Sequence, residues 1–224
     1  MELCQLDKVY VHSLVQYNKV LLQRNKLLKE LGFHPEYEAT LDVWDEQLVR
    51  FGKEVIKARR DFIHQLGDII KEMHTKLSGG KENIEVIYDP DTEENELEEA
   101  VRKSRPQDMK QKTTLAGPHR DDISFVVNGI DIRRFGSQGQ QRTAALSLKL
   151  SELELVKKVS RDDPVLLLDD VLSELDSSRQ NQLLDAIQDI QTMITCTGLE
   201  DFVNHRFHID KIFKVEDGKV TSQN

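Results

Sequence analysis

"PVLLLDDVLSELD" occupies residues 164–176. Four apolar residues, Val165 to Leu168, run straight into Asp169 and Asp170. A short unbroken apolar run predicts a buried strand. Ending that strand in two carboxylates predicts their display at the carboxyl edge of a sheet, where α/β proteins bind ligands. One carboxylate suits Mg²⁺, held directly or through water, and the next suits orientation of an attacking water. The plainer alternative is that the two acids only open a turn. Ser173 to Asp176 ("SELD") follow at once and lead into a helix, and alone they read as an ordinary cap.

Upstream, "FGSQGQQRTAALSLKL" spans residues 135–150. Ser137 and Gln140 stand at capping-box spacing, at the head of an apolar helix. Gly139 in the first turn costs up to about 1 kcal/mol relative to alanine, so it implies a close approach to the backbone. A helix N-terminus with open amides and a hydroxyl also favours phosphate. Cap and phosphate site therefore stand as two readings of one turn.

Around these segments the chain changes character. From Leu14, apolar or aromatic residues recur at Tyr17, Leu21, Leu28 and Leu31, predicting a helix that "LGFHP" breaks. A second helix is predicted over roughly residues 36–77. Leu41, Leu48, Val55, Phe62 and Ile69 repeat every seven residues there, a seam that implies a coiled-coil-like hairpin with the first helix. Ser78, Gly79 and Gly80 end it. "NIEVIYDP" predicts a short strand, and residues 94–112, with Pro106 inside, a broken helical linker. From Thr113 strands and helices alternate. "ISFVVNGIDIRRF" reads as a hairpin turning at Asn128 and Gly129. A helix over about 138–159, a buried strand over Val165–Asp169, a helix over 177–190 and a strand in "TMITCT" follow. "KIFKVEDGKVTS" forms a closing hairpin. The fold class expected is α/β, a parallel sheet with helices plus an inserted α-helical hairpin. The domains expected are residues 1–112 and 113–224.

Composition narrows the class. The 224 residues are 38% hydrophobic and 32% charged, as in a soluble, helix-leaning protein. No apolar run approaches the roughly 18 residues of a membrane span, and the N-terminus does not read as a secretory signal. Two cysteines, Cys4 and Cys196, are too few for a disulfide framework, so a cytoplasmic, reduced protein is expected. The net charge of −9 argues against nucleic-acid binding over the whole surface but leaves room for a local basic strip. Residues 89–99 hold seven acids and no base, which reads as a solvated loop entering a helix.

Together these segments resemble the C-terminal half of an ABC-type ATPase head, and specifically the RecF family of recombination mediators. Ser137, Gln138, Gly139, Gln140 and Gln141 match the ABC signature, with Gln138 where many relatives carry glycine. Asp169 matches the magnesium-holding Walker B acid, and Asp170 stands where most ABC proteins have the catalytic glutamate. Ser173 to Asp176 match the D-loop. "GPHRDD" (117–122) and "YNKVLLQRNKLLK" (17–29) also look like RecF rather than SMC or Rad50 heads. The resemblance covers nearly the whole chain.

By resemblance, the cofactors are ATP and Mg²⁺. Ser137, Gly139 and Gln140 would act in trans on ATP held by another subunit, while Asp169 and Asp170 act in cis, giving an ATP-dependent homodimer. Arg142 would support the signature helix or approach phosphate, or form a surface salt bridge. The family implies binding to DNA, single-stranded DNA included, and DNA repair, recombination, replication and the SOS response. It also implies help in loading recombinase at gaps, with RecO and RecR as partners, and no membrane association.

Two departures qualify this. No G-x-x-x-x-G-K-[ST] phosphate loop occurs, so the chain reads as a C-terminal portion that does not hydrolyse ATP by itself. The ABC switch histidine is also missing, and Thr195, Cys196 and Thr197 compete for its place.

Arg50, Lys53, Lys57 and Arg60 line one face of the long helix, as a stripe for a phosphate backbone or as a solvated, ion-paired face. Arg133 and Arg134 are a second candidate for DNA, or for the dimer interface. His119 in "GPHRDD" does not suit a closed metal site, and its loop is expected near the signature. His12, His34, His64, His74, His205 and His208 read as surface or filler residues, and Cys196 as core. The rival readings are a head fragment of an SMC- or Rad50-type protein, disfavoured by the short helical arm, and a non-catalytic module docking a partner through the hairpin.

Overall fold

A computed structural model describes residues 3–160, 163–197 and 209–223. Helix α1 (Leu3–Leu6) precedes α2 (Lys8–Glu30), whose first amides are held by the Asp7 carboxylate, at 2.8 Å from Val9 N and 3.0 Å from Tyr10 N. A 3₁₀ turn over Pro35–Thr40 leads into the 37-residue helix α3 (Leu41–Leu77).

Helix α3 is the spine. Its residues enter all five apolar clusters found among the described residues. Leu41, Leu48 and Val55 are fully buried, as the seven-residue repeat requires, and pack towards α2. Beyond Val55 the repeat gives way. Ile56, Ile63, Ile70 and Leu77 take the buried seam, while Phe62 and Ile69 are only half-buried at its flank. A straight helix of 3.6 residues per turn drifts by about 20° per heptad relative to a strict repeat. The seam therefore rotates away from α2, and the second half of α3 packs on the sheet and later helices. The expected coiled-coil hairpin holds only for the first half.

Strand β1 (Ile84–Asp89) pairs antiparallel with β2 (Asp122–Val127), from Ile84 opposite Val127 to Asp89 opposite Asp122. A tight turn at Asn128 (φ 50°) and Gly129 (φ 81°) joins β2 to β3 (Ile130–Asp131). The second arm of this hairpin is shorter than its sequence suggests, because Asp131 accepts the Arg133 amide at 2.9 Å and starts a helical turn, α5 (Ile132–Phe135).

Between β1 and β2 lies α4 (Leu97–Gln111), one continuous helix rather than a broken linker. Pro106 is exposed, and the opposite face is anchored by buried Leu97, Val101 and Asp108. Asp108 meets Arg24 Nη1 at 2.8 Å, and Arg24 Nε meets Asp45 at 2.6 Å. Arg105 also reaches Asp45, at 2.6 Å, so three helices are bound by one charge cluster.

Helix α6 (Gln138–Ser160) runs to β4 (Leu166–Asp169), which pairs in parallel with β5 (Thr192–Thr195) across α7 (Ser177–Ala186). Leu166 and Leu168 face α3, α6 and α7. Val165 is 48% exposed and Leu167 69%, so this strand is buried on one face only. A run that suits burial on both faces is covered here on one, because among the described residues the sheet has two strands and a single helical layer. A last hairpin, β6 (Ile212–Glu216) and β7 (Lys219–Gln223), turns at Asp217 and Gly218. No helix among the described residues is long and apolar enough to cross a membrane.

Candidate ATP signature and Walker B site

The signature turn forms the reciprocal cap that its spacing predicts. Gln140 N–H donates to Ser137 Oγ at 3.2 Å, and Ser137 N–H donates to Gln140 Oε1 at 3.0 Å. Gln141 Nε2 donates to Ile132 O at 2.8 Å, tying α6 back to α5. The Ser137 oxygen accepts in this cap, so its own proton stays available for an outside acceptor. The amides of Gln138 and Gly139 carry no hydrogen bond among the described residues. Cap and anion site are thus compatible on one turn.

What comes close to Gly139 is an arginine. A Cβ there would stand 3.0 Å from Arg179 Nη1. Arg179, in the first turn of α7, is held by Asp176, whose carboxylate accepts the Arg179 amide at 3.0 Å and Nη1 at 2.9 Å. The Arg179 amide, then its guanidinium, hold the Asp176 carboxyl below the usual carboxylate range. Asp176 is therefore the N-cap of α7, as "SELD" predicts.

At the end of β4 the two aspartates separate. Asp169 lies opposite Thr195 in the parallel register. Thr195 Oγ1 donates to Asp169 Oδ1 at 2.5 Å and accepts the Asp170 amide at 3.0 Å. Asp170 adopts a left-handed backbone (φ 51°), unusual outside glycine and more accessible to Asp than to most residues. Ser173 Oγ donates to Asp170 O at 2.8 Å, fixing the turn from the other side. Asp169 is exposed and Thr195 engages one of its oxygens, which leaves the other for a cation. No group of three or more metal-ligating side chains occurs among the described residues. One carboxylate completed by phosphate and water is the pattern that Mg²⁺ accepts, so the residues fit that ion only alongside a nucleotide.

Of the three candidates for the switch position, Thr195 bonds to both Asp169 and Asp170. Cys196 is exposed rather than core, since it lies just past the edge of β5. Burial, then the Asp170 charge, push its thiol up.

The other sequence candidates fall into two groups. Arg60 is ion-paired with Glu93, and Lys53 approaches Glu98 at 4.0 Å, so half of the basic stripe meets the acidic segment. Arg50 and Lys57 are exposed, Arg50 lying 5.4 Å from the Phe51 ring centroid. Arg133 grips Asp122 with both terminal nitrogens, at 2.6 and 2.9 Å, and holds that carboxyl down at about 2. Arg134 is 3.7 Å from Asp131. Arg142 is exposed and has interactions of its own.

"GPHRDD" is a structural junction. His119 Nε2 donates to Thr114 O at 3.1 Å, so Nδ1 accepts the Tyr17 hydroxyl at 2.7 Å. Asp121 accepts from Arg59 at 2.8 Å and from Tyr88 at 2.5 Å, while Arg120 meets Asp91 at 3.4 Å. His12, His34 and His64 are exposed as expected. His74 is not filler: it is fully buried and bonded through Nδ1 to Ser147 of α6 at 2.9 Å. His205 and His208 lie outside the described residues. Arg179 and His74 escaped the sequence reading. The glycine at 139 signalled a neighbour without identifying it, and no local pattern marks His74.

A capped signature turn, a parallel strand ending in paired aspartates and a capped D-loop helix define the C-terminal lobe of an ABC-type ATPase head. A scan against protein-family models finds no match. The DNA replication and repair protein RecF of Lachnospira eligens is 60% identical over the whole chain, and that of Clostridium perfringens is 44% identical over 98% of it. A solved structure of the recombination mediator protein RecF with ATP, in the RecFOR pathway, matches 98% of the chain with a TM-score of 0.83 and 35% identity. The chain belongs to the RecF family. It spans 62% of the length of these two curated relatives.

Proposed function

We propose that this chain is the signature-bearing portion of a RecF-type DNA repair and recombination mediator, and that it completes an ATP site on another molecule. The observation that carries this reading is the Ser137–Gln140 cap, which leaves the Ser137 proton and the amides of Gln138 and Gly139 for an anion. When bound, ATP supplies the phosphate charge that bridges two subunits and, with Asp169, ligands for Mg²⁺. Ser137 donates its proton towards that phosphate, and Gly139 and Gln140 shape the turn around it. Asp169, held by Thr195, keeps an oxygen towards the cation, and we place Thr195 in the switch position. Asp170, as the acid after Asp169, would accept the proton of an attacking water in a complete site.

The whole protein would dimerise with ATP, bind DNA in the cytoplasm and assist recombinase loading with RecO and RecR. Residues 1–112 would serve as its helical arm and 113–224 as its signature lobe. Without a phosphate loop the 224 residues are expected to show no ATP turnover of their own. Sustained hydrolysis by the purified chain, lost in Asp170→Ala, would contradict this assignment.

A second reading applies to the hairpin tip. Phe33 is 81% exposed, and His34 stacks on Tyr37 at 5.3 Å between centroids. Exposed aromatic side chains at the end of a helical arm suit docking of a protein partner.

A further inference from the structure

Two helices that belong to different motifs begin side by side, and one side chain joins them. Gly139 is the second residue of α6, and a Cβ on it would meet Arg179 Nη1 at 3.0 Å, Cζ at 3.6 Å and Nη2 at 3.7 Å. The guanidinium therefore lies against the backbone of the signature turn, where a methyl group would press it back by a few tenths of an ångström and a larger side chain by more. The same Nη1 is held by Asp176, at 2.9 Å, which fixes the guanidinium in this place.

A cation beside the first turn of a helix opposes the positive end of the helix dipole. The Asp176 carboxylate offsets that opposition while capping α7 through the Arg179 amide at 3.0 Å. The remaining contacts stiffen both sides. Thr143 Oγ1 donates to Gly139 O at 2.7 Å, and Gln180 Nε2 donates to Leu172 O at 2.8 Å, binding α7 to the turn that follows Asp170.

We infer that Arg179 is a positioning residue that locks the signature turn at Gly139 to the D-loop at Asp176, so that the two motifs move as one body. The lock itself rests on this geometry. Its consequence, that Arg179 sets how the signature meets a nucleotide in trans, rests on the function proposed above. Arginine suits the place and lysine does not, because a planar fork can lie on a backbone and grip a carboxylate together.

Amide hydrogen exchange on the 224-residue chain tests the lock. Arg179→Ala and Arg179→Lys are each expected to speed exchange of the Gln140 and Gln141 amides by roughly threefold, the scale of a lost packing contact rather than of a hydrogen bond. The Ser151 amide, in the middle of α6, should keep its rate and so reports that the fold is intact. Gly139→Ala should also speed exchange in the parent chain. In the Arg179→Ala background it should leave exchange unchanged or slow it, since alanine is the better helix former once nothing lies against it. An equal effect of Gly139→Ala in both backgrounds overturns the lock, as does unaltered exchange in both Arg179 variants.

Capture of the chain by full-length Lachnospira eligens RecF carrying a non-hydrolysable ATP analogue tests the consequence. Arg179→Lys should weaken capture by about tenfold. Undiminished capture of Arg179→Lys overturns the consequence. Parent chain that is not captured at all defeats the trans reading, and the exchange result then decides the lock independently.

Discussion

Thr195 Oγ1 donates its single proton to Asp169 Oδ1 at 2.5 Å and accepts the Asp170 amide at 3.0 Å. One hydroxyl on β5 thus orients the carboxylate at the end of β4 and closes the left-handed residue after it. The Asp170 amide also donates to Thr195 O at 3.2 Å, so Thr195→Val should cost about 1 kcal/mol of stability and speed exchange of that amide, leaving it on the carbonyl alone. Thr195→Ser should restore both. Denaturant unfolding together with amide exchange reads the result, and an Asp170 amide that exchanges at the parent rate in Thr195→Val would contradict this role.

The buried charge cluster sets a second expectation. Arg24 and the Asp108 side chain are fully buried and 2.8 Å apart. Asp108→Ala leaves the guanidinium with only Asp45 and Thr114, at a cost of about 3–5 kcal/mol. The double change Arg24→Met with Asp108→Leu should be milder than Asp108→Ala alone, because it removes the buried charge pair together. Urea midpoints of the two variants make the comparison.

Acid should weaken the fold through two histidines, His74, which is fully buried, and His119, whose ring is partly covered by Tyr17 and Thr114. Burial lowers the pKa of both His119 and His74. A base whose folded pKa lies below its unfolded value, about 6.5, binds its proton more readily in the unfolded chain. Stability is therefore full above about pH 6.5 and declines as pH falls towards the lowered folded values. His119→Gln keeps a donor for Thr114 O and an acceptor for the Tyr17 hydroxyl, and should flatten the pH profile while leaving the contribution of His74. Urea midpoints between neutral and mildly acidic pH check this. An unchanged profile would show that His119 does not titrate with folding.

The basic stripe should be restrained by the acids beside it. Arg60 pairs with Glu93 and Lys53 approaches Glu98, while Arg50 and Lys57 are exposed. Glu93→Gln with Glu98→Gln should tighten DNA binding at low salt. Reversing the charge of Arg50 and Lys57 should lower the slope of log affinity against log salt by roughly two if both contact phosphate. Binding that ignores both changes would move the DNA interface away from α3 and favour the partner-docking reading of the hairpin.

Much of this architecture was readable along the chain, and its lapses have common causes. Local signals held: the Ser137–Gln140 spacing made its cap, Asp176 capped α7, and Asn128–Gly129 and Asp217–Gly218 made their turns. Signals that depend on what lies opposite did not hold fully. The seven-residue repeat of α3 predicted Phe62 and Ile69 in the seam, and helix drift delivered Ile63 and Ile70 instead. Val165–Leu168 promised a strand covered on both faces, yet a one-sided cover leaves Leu167 exposed. Cys196 followed the same logic and lies at the surface. His74 and Arg179 have partners 73 and 40 residues away, respectively, in Ser147 and Gly139. No spacing rule within one helix reaches that far.

The central claim is that the Ser137 turn closes on a nucleotide held by another molecule. Its most direct measurement is binding of the 224-residue chain to immobilised full-length Lachnospira eligens RecF, with and without a non-hydrolysable ATP analogue. Ser137→Asp is the informative variant, because aspartate keeps the helix cap but sets a carboxylate against the incoming phosphate. The chain should bind only when nucleotide is present, Ser137→Asp should abolish that binding, and Asp169→Ala should leave it intact. Binding that is equal without nucleotide, or unaffected by Ser137→Asp, would contradict the account.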